Sequence, residues 1–212
     1  MISTDAKFWD DIAEKYAAQP VANVGAFERK KAVNREHLRP DSTVLELGCG
    51  TGSLALEMAP FAAHIHALDH SAQMIRIAER KKLDQGVTNV SFRQATASDL
   101  GAYPRASFDC VWAYSVLHLV AERSRTLESV FQLLKPGGSF ISSNVCLGDS
   151  LVPYGPITRV LGWFGKAPRV YIYKRETILR ELAEAGFVDI TEREVGAEAR
   201  VMFLVAKRPG AR

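Results

Sequence analysis

Three glycines at alternate positions, Gly48, Gly50 and Gly52, follow directly on the apolar run Val44, Leu45 and Leu47, and a helical pattern begins at once in Ser53–Met58. No other stretch restricts the chain as much. A buried strand that breaks into glycines before a helix needs backbone angles that residues with a Cβ resist, and it leaves the main chain open to close approach. The N–H groups of the helix's first turn then form a seat for an anionic or polar ligand group. The spacing is G-x-G-x-G, with Glu46 two residues before the first glycine. It differs from the G-x-G-x-x-G of dinucleotide-binding loops.

Strand and helix patterns alternate around this loop. Phe8, Trp9, Ile12, Ala13 and Tyr16 form the apolar stripe of a helix over residues 5–19 that Pro20 ends, and a second helix is expected from Gly25 to His37. A strand at 64–68 ends in Asp69, and Ser71 is placed to cap the helix that starts at Ala72 and closes at Gly86. Strands follow at 90–93 and 108–113, then a helix over 122–134, a turn at Lys135–Gly138 and a strand at 139–143. The alternation lapses over 147–173, a stretch dense in proline and glycine in which Ile157, Val160, Leu161 and Phe164 share one face of a short helix. That face could cover a site, pack on the core or rest on a membrane surface; packing as core or lid is the preferred expectation. A helix over 174–185 precedes two segments, 187–190 and 201–205, close enough to pair as antiparallel strands. Strands separated by helices predict a mainly parallel sheet covered on both faces.

The 212 residues suffice for one such domain and are too few for two. A net charge of +3, without a dense Lys/Arg run, gives no ground for nucleic-acid binding. Cys49, Cys110 and Cys146 are scattered, as buried thiols of a reducing compartment would be. His64 and His66 face one side of a strand with no ligand partner at metal spacing, so no metal is expected. Met1–Asp5 lacks a signal pattern and no apolar run is long enough to cross a bilayer, which makes a cytoplasmic protein the expectation.

The glycine loop, Asp69 closing the second strand, and the succession of seven strands together resemble class I S-adenosylmethionine-dependent methyltransferases over nearly the whole chain. The resemblance implies a Rossmann-like α/β three-layer sandwich, its seven-stranded, mostly parallel sheet ending in an antiparallel hairpin. It implies a single domain over 1–212, with residues 1–40 as an N-terminal helical lid and 147–173 as a substrate-side insertion. S-adenosylmethionine is the implied cofactor. Glu46, Gly48, Gly50 and Gly52 would hold its amino-acid end, and Asp69 would accept hydrogen bonds from its ribose hydroxyls. His70, Ser71 and Met74 follow in D-x-S-x-x-M spacing, with Met74 against the adenine. Thr96 stands where relatives often carry Asp; Thr96 and the Ala97 N–H would face the adenine edge, with Asp99 a candidate substitute. Ser115 would lie beneath the methionine part through its backbone. His118 is a tentative base or polar contact for the acceptor. Trp9, Ala13 and Tyr16 match a W-x-x-x-A-x-x-Y segment whose tyrosine reaches the cofactor carboxylate.

The implied reaction is in-line methyl transfer to a small, partly apolar molecule, because no proline-rich motif of the amino-directed enzymes follows the fourth strand. Peripheral membrane contact stays open, and the acceptor atom is undetermined. An NAD-type oxidoreductase and a non-catalytic S-adenosylmethionine-binding protein are the alternatives.

Overall fold

The computed structural model describes residues 4–97, 99–150, 152–164 and 167–210; Met1–Ser3 and Ser98 lie outside them. Two helices, α1 (Thr4–Ala18) and α2 (Val24–Glu36), precede the first strand, β1 (Thr43–Leu47). Then come α3 (Ser53–Met58), β2 (His64–Asp69), α4 (Ala72–Asp84), β3 (Val90–Gln94), β4 (Phe108–Tyr114), α5 (Arg123–Leu133) and β5 (Leu134–Val145). The chain ends in α6 (Tyr154–Trp163), α7 (Arg175–Glu184), β6 (Val188–Glu192) and β7 (Val201–Lys207). The seven strands form one sheet in the order β3-β2-β1-β4-β5-β7-β6. Strands β1 to β5 run parallel, and β7 lies antiparallel between β5 and β6.

Alternation along the central strands sorts their side chains into two layers. Leu45, Leu47, Val111, Ala113 and Phe140 face the side covered by α5 and α7, where Leu127, Val130, Ile178 and Leu182 meet them. Val44, Ile65, Cys110, Trp112, Ile141 and Phe203 face the opposite side, with Val33 of α2 and Leu54, Ala55 and Met58 of α3. Burying each large apolar side chain contributes about 1.5–3 kcal/mol, so these two layers hold the fold. A third, smaller cluster joins α1 to α4 through Ala13, Met74 and Ile77. All three cysteines are free and buried. His64 and His66 do share one side of β2, linked through the Ser91 hydroxyl at 3.0 and 3.2 Å.

Two expectations need correction. The turn at Lys135–Gly138 is the irregular start of β5: Leu134 already pairs with Phe108, and a register shift follows before Cys110. Gly137, at φ +78°, absorbs the bend within the strand, and Lys135 Nζ sits 2.8 Å from Asp109. The apolar face of α6 packs on no core, for no residue of that helix is buried.

Candidate active site at the carboxyl edge of the sheet

In strand order the chain moves outward from β1 to β2 and β3 on one side and to β4 and β5 on the other. The crevice where that order reverses, outside the carboxyl ends of the parallel strands, is where open α/β sheets bind ligands. The glycine loop leaves β1 at this point. Gly48, Gly50 and Gly52 all adopt left-handed backbone angles, with φ of +67°, +54° and +76°. A Cβ on Gly48 would lie 2.6 Å from Val116 Cγ2, and one on Gly52 would lie 2.6 Å from Phe92 Cζ. These two glycines are therefore required by the protein's own packing. Gly50 differs: the nearest atom to a Cβ there is Tyr16 Cε1 at 3.9 Å. It is the glycine that leaves the main chain open.

Asp69 ends β2 beside this loop. Its Oδ2 accepts from the Gly50 N–H at 2.9 Å and its Oδ1 from the Ser71 N–H at 2.9 Å. The carboxylate is 7% exposed, so the two backbone bonds fix its orientation while each oxygen keeps further acceptor capacity. His70 Nδ1 stands 3.5 Å from Oδ1. Glu46 points to the α3 side of the sheet. It is 3% exposed and its Oε2 has no hydrogen-bond partner. Burial, and then the charge of Asp69, push its pKa up to about 8. A backbone bond at Ala55 only partly offsets this, so the carboxyl keeps one unsatisfied oxygen that a cation would suit.

The other expected residues are distributed unevenly. Ser115, at the end of β4, takes a left-handed φ of +52° and its N–H bonds to Ser143 O at 2.8 Å. Thr96 and Ala97 lie in the loop after β3, which is tied to β2 by the Ala95 N–H to Asp69 O bond at 2.9 Å. Thr96 and Asp99 are both exposed there, and the Asp99 N–H bonds back to Thr96 O. Tyr16 stands over Gly50 and is 48% exposed. Met74 is not on the open side: it is 1% exposed and packs with Ala13 and Ile77 in the seam between α1 and α4. His118 sits on a short 3-10 turn after β4, its Nδ1 buried and without a partner. Burial pushes its pKa down to about 4, so the ring is neutral near pH 7 and holds a proton poorly.

Two residues at this edge escaped the sequence reading. Asp10 of α1 accepts at Oδ1 from Ser71 Oγ at 2.6 Å and from the Gln73 N–H at 3.0 Å, tying α1 to the start of α4. Lys30 of α2 places Nζ 3.1 Å from Ser143 Oγ, over the rings of Tyr114 and Phe203, and burial lowers its pKa. A charged residue on an amphipathic helix reads as solvated surface, and nothing in the spacing of either one signals otherwise.

Residues 38–163 match the family model of a methyltransferase domain, which covers more than half of the chain. The chain belongs to this methyltransferase family. It is 33% identical over 132 residues to a ubiquinone biosynthesis O-methyltransferase of Paraburkholderia phytofirmans, covering 62% of this chain and 55% of that one. It is 29% identical over 143 residues to a ubiquinone/menaquinone biosynthesis C-methyltransferase of Vibrio cholerae, covering 64% and 55%. The matched part thus spans about half the length of these relatives. A crystal structure of a SAM-dependent methyltransferase from Aquifex aeolicus superposes with a TM-score of 0.70 at 17% identity, over 96% of this chain and 98% of that one. The sandwich, the mostly parallel sheet and its antiparallel end are those of the family.

The donor set fits the family's cofactor, S-adenosylmethionine. Its amino-acid end carries an ammonium group, and the buried Glu46 carboxyl, with one oxygen unpartnered and Asp69 acting on it, suits a cation. The same pair argues against a dinucleotide. A pyrophosphate needs unengaged N–H groups, yet the Gly50 N–H is held by Asp69 and two acids flank the loop. The NAD-type alternative is not favoured. Among the described residues, no group of three or more His, Cys, Asp or Glu is arranged to hold a metal.

Proposed function

We propose that this protein transfers the methyl group of S-adenosylmethionine to a small, partly apolar acceptor. What supports the reading is that Asp69, bonded to the Gly50 N–H below Tyr16, acts electrostatically on both Tyr16 and the buried Glu46 at the glycine loop. In this reading Glu46 takes the ammonium group, Asp69 the ribose hydroxyls, and Tyr16 closes over the cofactor's amino-acid end. When bound, the cofactor supplies a methyl already activated on a sulfonium. The chain's task is then to align and exclude water. Holding two reactants in line is worth about 7–11 kcal/mol in the best intramolecular cases.

Acceptor binding is assigned to the groove between α1 and the segment that includes α6. Lys7 and Phe8 line one side, and Thr158, Arg169 and Tyr171 the other. The Tyr171 N–H bonds to His118 O at 2.7 Å, which joins the groove wall to the turn after β4. His118, neutral and with an unpaired Nδ1, offers a hydrogen-bond partner to the acceptor in this scheme. Relatives named for quinone biosynthesis make ring compounds of that class the first acceptors to screen.

Isothermal titration with S-adenosylmethionine, S-adenosylhomocysteine and NAD tests the cofactor assignment. Binding of the two sulfur compounds and not of NAD is expected, and the reverse would overturn it. Asp69→Asn, which keeps one acceptor for the loop, is expected to weaken S-adenosylmethionine binding at least tenfold with little change in melting temperature. An unchanged dissociation constant would remove Asp69 from the site. Transfer of labelled methyl across an acceptor panel separates an enzyme from a protein that only binds the cofactor.

A further inference from the structure

Among the described residues, Lys30 has no counter-ion. Its Nζ donates to Ser143 Oγ at 3.1 Å and lies 5.7 and 5.8 Å from the ring centres of Tyr114 and Phe203. The elements packed against it bring no carboxylate. From β4 comes Tyr114, whose hydroxyl donates to Asn34 Oδ1 at 2.7 Å; from β5 and β7 come the buried Ser143 and Phe203. The acids of its own helix are engaged elsewhere, Glu28 with Lys31 and Glu36 with Arg193. Burial therefore acts alone on the amine and lowers its pKa. Taking a charge out of water without a partner is costly, and such groups gather where a ligand supplies the partner.

The strand order points to which ligand that is. From its second strand the sheet runs β2-β1-β4-β5-β7. In the function proposed above, on which this inference rests, the cofactor spans the ends of β2, β1 and β4 at Asp69, Gly50 and Ser115. The ends of β5 and β7 are left for the acceptor. Lys30 stands there, and the Ser143 that it touches accepts at its backbone O from the Ser115 N–H at 2.8 Å. The segment carrying α6 springs from the same place: it follows the end of β5, and Arg200, just before β7, donates to the Tyr154 hydroxyl at the start of α6. We propose that Lys30 binds the acceptor's hydroxyl as an oxyanion beside the methyl group, which makes the acceptor a phenol or an enol. An ammonium repels a protonated amine, and it bonds more strongly to an oxyanion than to sulfur, a weak acceptor. The hydroxyl proton goes to solvent as the oxyanion seats. An oxygen electron pair then forms the O–CH3 bond while the S–CH3 bond breaks, its electrons returning to sulfur as a thioether. Both charges are neutralised in that step, so the ether product loses its hold on Lys30.

Two measurements on the full chain test it. 4-Nitrophenol and 4-nitrocatechol, titrated into the S-adenosylhomocysteine complex, report their own ionisation by visible absorption. The wild-type chain is expected to raise the ionisation constant of the bound phenol about tenfold, Lys30→Met to abolish the rise and Lys30→Arg to restore most of it. With labelled S-adenosylmethionine, Lys30→Met is expected to lower kcat/KM for phenol acceptors about a hundredfold. Methionine keeps the length of the stem and removes a buried charge, so melting temperature should not fall, and S-adenosylmethionine affinity should hold. Phenols that ionise no more readily in the complex overturn the proposal, as does label transfer that Lys30→Met leaves unchanged or that prefers amines or thiols. A loss of S-adenosylmethionine affinity in Lys30→Met overturns it too and gives the amine to the cofactor's carboxylate. A wild-type chain that binds no S-adenosylmethionine removes the methyltransferase reading and this inference with it. Intact binding and transfer with a silent Lys30 remove this inference alone.

Discussion

At Gly52 a Cβ would meet Phe92 Cζ at 2.6 Å and Ala78 Cβ at 2.9 Å, at a φ of +76°. Phe92 and Ala78 belong to β3 and α4, so Gly52→Ala must shift packed elements, and a loss of about 3 kcal/mol is expected by thermal melting. Gly50→Ala meets only Tyr16, so its cost is the left-handed backbone, about 1–2 kcal/mol. That variant should stay folded and lose cofactor binding. Calorimetric melting and ligand titration on the pair separate a packing glycine from a site glycine. Glu46 gives a pH signature. Its folded pKa, about 8, lies above the unfolded value near 4.5, so its contribution to stability is complete below pH 4.5 and is lost as the pH rises through 8. Glu46→Gln should therefore raise the melting temperature at pH 8 by on the order of 5 °C and leave it unchanged near pH 4. The cation that ionises Glu46 must also displace its proton. Binding enthalpy at pH 7 should accordingly vary with the ionisation heat of the buffer, and Glu46→Gln should abolish that dependence.

Among the elements, periodicity placed nearly every helix and strand, because apolar residues recur at 3.6 or 2 wherever one face is buried. Ser71 shows the same legibility: it caps α4 by accepting from the Met74 N–H at 3.1 Å, as its type and place imply. What periodicity cannot supply is orientation. The spacing of Ile157, Val160, Leu161 and Phe164 marks a helix face correctly but does not say whether protein or solvent meets it. Nor does spacing show partners distant in sequence: Met74, which the D-x-S-x-x-M spacing sets toward a ligand, lies buried in the seam with Ala13 and Ile77. Asp10 was hidden for the same reason. Burial opposes its charge, but the bonds from Ser71 and Gln73 outweigh that and hold its pKa below the ordinary carboxylate value. A depressed folded pKa stabilises above the unfolded value of about 3.8 and is lost as the pH falls through the folded one. Docking of α1 should weaken in that acid range before the central sheet opens. Hydrogen exchange is the check: at neutral pH, Asp10→Ala should raise exchange across residues 4–18 and leave β1 and β4 protected.

For the molecule as a whole, the distribution of its cores sets what can move. The two layers flanking the sheet contain no residue of α1, which is held through Ala13, Met74 and Ile77, the Asp10 bonds and the exposed Glu14–Arg80 pair with α4. A chain lacking residues 1–19 should keep its fold. It exposes Met74 and Ile77, a cost of roughly 3–6 kcal/mol for two large side chains. Yet α1 touches both halves of the proposed site, through Tyr16 at Gly50 and through Lys7 and Phe8 on the acceptor groove. A ligand that orders α1 at one end prepays its ordering at the other, and such coupling is reciprocal. S-adenosylhomocysteine should therefore tighten acceptor binding several-fold, and the acceptor should tighten S-adenosylhomocysteine by the same factor. Titration of each ligand with and without the other measures that factor. In the truncated chain both affinities should fall and the factor should approach one, while the circular dichroism of the sheet is retained. Equal coupling with and without α1 would show that the two half-sites communicate through the loops after β1 and β4 instead.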